Sequence, residues 1–200
     1  IRNKNASNTA LTEAHVSEIK AYLKVLDLIE TSGVLSIFGG VPTEYTIFTQ
    51  PGMRFCPAQA LVYSLMQSSD FLSNASEYEK TLVTNKILDS VRGRMMEDII
   101  LLESKLANNK KEVFKLKFAV GEFDMVIFDR SSLTCKIYEV KYNDQVNEEQ
   151  YKHLIDDNKC KLTTHFFGEI IEKCVIYRGE SKTYNSIRYI NVEEYLKSLY

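Results

Sequence analysis

What this 200-residue chain lacks narrows the field first. Its four cysteines, Cys56, Cys135, Cys160 and Cys174, are scattered, with neither paired nor metal-ligand spacing. That excludes a disulfide framework and a zinc ribbon, and leaves the reduced core thiols expected of a cytoplasmic protein. No apolar run approaches the roughly 20 residues that a membrane helix needs, and no secretory signal opens the chain. A basic surplus is missing too: 25 Lys and Arg stand against 27 Asp and Glu, for a net charge of −2. Dedicated nucleic-acid binders carry an excess of positive charge, so tight non-specific DNA binding by this stretch alone is not expected. No Gly-x-x-x-x-Gly-Lys-Ser/Thr occurs, which excludes ATP binding through such a loop.

What is there reads as an ordinary globular sequence, 44% hydrophobic and 26% charged. Its length suits one large or two small domains. The polar opening after Ile1, without a methionine, suggests a piece of something longer. The pattern predicts a helix over 12–32, capped by Thr12, with Val16, Ile19, Leu23, Leu26 and Ile29 as its stripe and Gly33 as its end. A hairpin with a glycine-rich tip follows, 34–38 and 44–48. A short helix is expected over 54–67, with Leu61, Leu65 and Met66 apolar. A polar link at 68–75 is the best boundary. A long helix is expected from 76 to about 106, burying Leu82, Ile87, Val91, Met95, Ile99, Leu102 and Leu106.

The stretch from Val120 to Asn143 organises the rest. It reads as two strands joined through Asp129-Arg130-Ser131-Ser132-Leu133-Thr134, with the turn centred on Ser131 and Ser132. Three charged residues, Asp124, Glu139 and Lys141, interrupt its apolar pattern, at a cost of several kcal/mol unless they pair or hold a metal. Antiparallel pairing about that centre places Asp124 opposite Glu139, with Cβ atoms about 5 Å apart. Lys141 shares their face. Two carboxylates that close share a proton or a cation. Before this hairpin, Val113–Ala119 alternates Phe114, Leu116 and Phe118 with Lys115 and Lys117. After it, Asn147 and Gln150 stand in capping-box register at the start of a helix. Strands are expected at 173–179 and 187–190, and a terminal helix after Asn191.

Asp124, a strand connection and Glu139-x-Lys141 resemble the PD-(D/E)XK, restriction-endonuclease-like, nuclease core, with Phe123 where the family name has proline. The order of elements is the one that core requires: a mixed sheet flanked by helices, an α/β (α+β) arrangement. The resemblance implies that Asp124 and Glu139 bind Mg²⁺ or Mn²⁺ with the Val140 carbonyl, and that Lys141 positions the nucleophile. It also implies a further carboxylate, Glu97 in Gly93-Arg94-x-x-Glu97, and a helix residue reaching the site, Gln150. Residue by residue, Glu97 also suits an ion pair with Arg94 or Lys105, and Gln150 suits capping. His153 and His165 carry no motif.

More widely, the helix and hairpin of residues 1–52 look like a winged-helix remnant, joined through 53–75 to a nuclease-like domain over 76–200. With Tyr177-Arg178-Gly179 and Tyr189-Ile190-Asn191-Val192-x-x-Tyr195-Leu196, the whole is similar to the uncharacterised C-terminal region of bacterial and archaeal AAA-type ATPases. That likeness implies an ATPase module upstream in the same polypeptide; the lack of a long apolar run speaks against a membrane partner. The function expected is metal-dependent hydrolysis of nucleic-acid phosphodiesters, DNA foremost. The alternative is an inactive nuclease-like module that serves the ATPase by docking to DNA or protein. Only Lys20 and Lys24 on the first helix, and nothing on the wing, offer positive charge, which favours a packing role for that part.

Overall fold

The computed structural model describes residues 11–68 and 74–200. The polar opening and most of the link expected at 68–75 lie outside them. In chain order the elements are α1 (Glu13–Val25), β1 (Ile29–Ser36), β2 (Thr43–Phe48), α2 (Gly52–Ser68) and α3 (Glu77–Ala107). Then come β3 (Glu112–Lys117), β4 (Glu122–Asp129), β5 (Thr134–Lys141), α4 (Asp157–Phe167), β6 (Glu169–Tyr177), β7 (Lys182–Tyr184), β8 (Ile187–Asn191) and α5 (Val192–Lys197).

All eight strands join one mixed sheet in the order β2-β1-β3-β4-β5-β6-β8-β7. The pairs β1–β3, β5–β6 and β6–β8 are parallel and the others antiparallel. The β4–β5 hairpin turns where its sequence indicated, with Met125 opposite Tyr138 and Asp129 opposite Thr134. Both sheet faces are covered, so the central strands are buried on both sides. One face packs Phe114, Leu116, Val126, Ile137 and Tyr189 with Tyr151 and Leu154 of the segment before α4. The other packs Met125, Tyr138, Val140 and Ile176 against Met96, Ile100 and Leu101 of α3 and Tyr195 of α5.

Several local expectations need correction. The first helix stops at Val25; Ile29 and Gly33 belong to β1, where residues 29–34 pair with β2 and residues 33–36 with β3. The hairpin expected as a free wing is therefore the edge of the main sheet. The stripe of α1 is not buried: Val16, Ile19 and Leu26 are exposed. In α2 the inward residue is Val62, while Leu61 and Leu65 are exposed. On α3 the buried set is Leu88, Met96, Ile100, Leu101 and Leu102, whereas Leu82, Ile87 and Leu106 face outward. That helix is apolar on more than one side, so periodicity alone did not select its packed face. Of the expected core thiols, only Cys135 and Cys174 are buried; Cys160 is half-buried and Cys56 exposed, and all four are free.

The helix expected at Asn147 is a single 3₁₀ turn, Glu148–Gln150, and α4 begins only after Asp156. Asp156 caps α4 by accepting the amides of Asn158 and Lys159. The helix ends at Gly168, whose φ of 74° an L side chain rarely adopts. A Cβ there would stand 1.8 Å from the Leu133 carbonyl oxygen. Ser76 and Glu79 close a capping box at the start of α3, and Asn191 caps α5. No helix among the described residues is long and apolar enough to cross a membrane.

Candidate functional site

The site lies where the β4–β5 ladder ends. Between β3 and β4 the register slips, so that Asp124 and Met125 together face the single residue Lys115. Such a bulge bends its strand and re-aims the side chains on it. Asp124 is turned along the sheet: its Oδ2 accepts the Val140 amide at 2.8 Å, one step beyond the last ladder pair, Met125 with Tyr138. The constant register of the hairpin carries Asp124 opposite Glu139, as the turn position implied.

Both carboxylates are buried, Asp124 at 8% and Glu139 at 2% exposure. Lys141 Nζ bridges them, 2.6 Å from Glu139 Oε2 and 3.3 Å from Asp124 Oδ2. Glu139 Oε1 is buried with no hydrogen-bond partner, an orphaned acceptor that costs roughly 1–3 kcal/mol or more as it stands. Burial, and then the charge of Asp124, push the Glu139 carboxyl up to about 8 against the pull of Lys141. Burial by itself would lower Lys141; the charges of Asp124 and Glu139 hold it above its ordinary value.

Glu97 stands on α3, at the other sheet face. Its Oε2 accepts from Arg94 at 2.9 Å and from Lys115 at 3.0 Å. Burial, and next the Asp124 charge, raise its pKa. Glu97 is thus electrostatically joined to the site yet ion-paired, with Arg94 as its sequence spacing allowed; Lys105 pairs with Glu30 instead. Lys115, which alternation alone placed on an outward basic face, is buried at 2% exposure beneath the Tyr45 ring. Lys117 is exposed.

Gln150 is buried, but its amide braces its own loop. Its Oε1 accepts the Asn147 amide at 3.1 Å and its Nε2 donates to the Gln145 carbonyl at 2.6 Å. Among the described residues it forms no hydrogen bond to Asp124, Glu139 or Lys141, so the capping reading holds. His153 lies in the turn before α4 and is 2.6 Å, through Nδ1, from the Nζ of Lys159. Lys159 was missed. Its signal was a lysine in register with Thr163 and Phe167 on the inner face of α4. His165 stacks edge-on with Phe166.

The donors suit a hard cation: two carboxylates and a main-chain carbonyl, oxygen ligands that Mg²⁺ prefers. The orphaned Glu139 Oε1 is the specific feature that fits one. No group of three or more His, Cys, Asp or Glu side chains among the described residues is arranged to hold a metal, so the Val140 carbonyl and solvent would have to complete the shell. Compared with family models, curated proteins and solved structures, the chain matches none.

Proposed function

We propose that this chain is a metal-dependent nuclease domain of the PD-(D/E)XK kind, hydrolysing nucleic-acid phosphodiesters and serving an ATPase module of the same polypeptide. The observation that carries the reading is the buried pair Asp124 and Glu139, bridged by Lys141, with one Glu139 oxygen left without a partner. Asp124, Glu139 and the Val140 carbonyl would hold Mg²⁺ or Mn²⁺. The ion, when bound, supplies charge compensation at the phosphate and a lower pKa for a coordinated water.

The chain's own residues do the rest. Lys141, held cationic between the carboxylates, offers N–H donors to the nucleophilic water or to a phosphate oxygen. The Asp124 carboxylate is kept in place by the Val140 amide, which preorganises the donor set. Glu97 offsets part of the charge of Arg94 and Lys115 nearby. Replacing Lys141 by Ala should abolish metal-dependent cutting of DNA or RNA while the protein stays folded; full activity in that variant sinks the assignment.

A second reading is favoured by one observation. Lys141 already bridges both carboxylates, as an internal ion-pair network would. The domain would then be an inactive docking module for the ATPase. Calorimetric titration with Mn²⁺ and Mg²⁺ separates the two: binding that disappears in Asp124→Ala supports the enzyme, and no binding at millimolar metal supports the docking module.

A further inference from the structure

The parallel strands β5, β6 and β8 end level with one another: Lys141 pairs with Tyr177, and Tyr177 with Asn191. The residues that follow, Tyr142, Arg178 and Val192, therefore stand in one row along that sheet edge. Lys141 reaches the carboxylates on one face of the sheet, while Tyr142 packs against the core on the α3 face. Between this row and the α2–α3 pair lies a groove of about 450 Å³. α3 lines it with Arg92, Met95 and Ile99, a single stripe at helical spacing, and α2 with Phe55.

Two features set the chemistry of the groove. No Asp or Glu lines it, although acids outnumber bases in the chain as a whole. Its two cations are arginines, each laid over an aromatic ring. Arg178 stands over Tyr142, 4.6 Å from guanidinium carbon to ring centroid, and Arg92 over Phe55 at 5.2 Å. Arg92 donates to Asp89 at 2.8 Å. Arg178 is exposed and ion-paired to no carboxylate among the described residues. Guanidinium and ring planes with apolar side chains between them receive a flat ring by stacking, and the free guanidinium donors receive an anion. A nucleobase with its phosphate joins both properties. A duplex keeps its bases inside and offers such a groove only sugar and phosphate, whereas a single strand offers the base itself.

We propose that this groove binds an unstacked base of single-stranded nucleic acid beside the Asp124–Glu139 centre. The Tyr142–Arg178 and Phe55–Arg92 stacks supply the surfaces for the base, and Arg178 also meets the neighbouring phosphate. The Cα atoms of Tyr142 and Lys141 are about 3.8 Å apart, so a strand anchored at Tyr142 brings its backbone toward the carboxylates. This occupant deepens the nuclease reading by naming the substrate class, a single strand rather than a duplex, and rests on that reading for the cutting that follows binding. Tyr142 and Arg178 position the strand; they take no part in the proton transfers at the carboxylates.

The test is fluorescence anisotropy in EDTA at low salt with three labelled probes: a short oligothymidylate, an abasic strand of the same length, and the thymidylate paired with oligoadenylate. The thymidylate should bind about tenfold tighter than the abasic strand, the difference that stacking of a base supplies, and tighter than the duplex. Tyr142→Leu should erase most of the preference for the thymidylate over the abasic strand. Arg178→Glu should weaken binding of the thymidylate about tenfold, as loss of a hydrogen bond to a charged group does. Equal binding of thymidylate and abasic strand, a preference for the duplex, a full preference retained in Tyr142→Leu, or unchanged binding in Arg178→Glu overturns the proposal. Binding of none of the probes overturns it too, and leaves the groove to a protein partner. Should Tyr142→Leu fail to fold, Arg178→Glu, at an exposed position, decides together with the wild-type comparison. Chelation keeps binding apart from cutting. Base-dependent binding by a protein that takes up neither Mg²⁺ nor Mn²⁺ and cuts nothing would refute the nuclease reading and leave the groove standing. Metal-dependent cutting with binding indifferent to the base would overturn the groove alone.

Discussion

The Asp124 carboxylate accepts the Val140 amide at 2.8 Å, so a side chain completes the end of the β4–β5 ladder. One carboxylate thereby both closes a strand pair and presents its charge to Glu139 and Lys141. The two roles separate by substitution. Asp124→Asn keeps an acceptor for the Val140 amide and should hold stability within about 1 kcal/mol of the wild type. Asp124→Ala leaves that amide unpaired and should lose a further ~1–3 kcal/mol in denaturant unfolding. Both should lose metal binding. Equal stability of the two variants would show that the contact does not hold the strand end.

Glu139 makes metal binding depend on pH. With its carboxyl raised to about 8 by burial and by Asp124, the metal-free protein keeps a proton there at neutral pH, and a cation must displace it. Affinity for Mn²⁺ should rise about tenfold per pH unit up to about 8 and level off above. Calorimetry in buffers of different ionisation enthalpy should show close to one proton released per ion at pH 7. An affinity that is flat with pH would contradict this placement of the proton.

The same shift predicts a stability trend in the absence of metal. Between the ordinary Glu value of 4.5 and about 8, the folded state holds a proton that the unfolded chain has released. Stability from this group is therefore full below pH 4.5 and falls as pH rises toward 8. Glu139→Gln, which cannot ionise, should flatten that slope, and at pH 8 should be as stable as the wild type or more so, while binding no metal. Urea unfolding at pH 5 and pH 8 checks it.

Asp98 ties three elements together. It is buried at 4% exposure, 2.7 Å from Arg54 Nη2 of α2, and accepts from the Tyr45 hydroxyl of β2 at 2.6 Å. Asp98→Ala leaves a partly buried guanidinium without its anion and should cost about 3–5 kcal/mol. A loss under 1 kcal/mol would mean that the sheet edge and α2 do not depend on this contact.

Gly168→Ala should destabilise by about 3 kcal/mol, because the positive φ and a Cβ 1.8 Å from the Leu133 carbonyl oxygen must both be relieved. Since Gly168 joins α4 to β6, the loss should appear as a lower melting temperature. Melting within a degree of the wild type would show that the turn adapts freely.

The sequence by itself determined the hairpin and the opposition of Asp124 to Glu139. A tight turn centred between Ser131 and Ser132 sets the register, and a register two residues in period decides which side chains meet. The starts of α3 and α5 were legible for a related reason: each is signalled by residues within one turn of the chain. Only the tertiary structure decided the rest. Whether Ile29 to Ser32 ends a helix or opens a strand depended on β2 being there to pair with it, through Tyr45 to Phe48. Burial of Lys115 and Lys159, the ion pairing of Glu97 and the turning of Gln150 onto its own loop follow from which sheet face each helix covers.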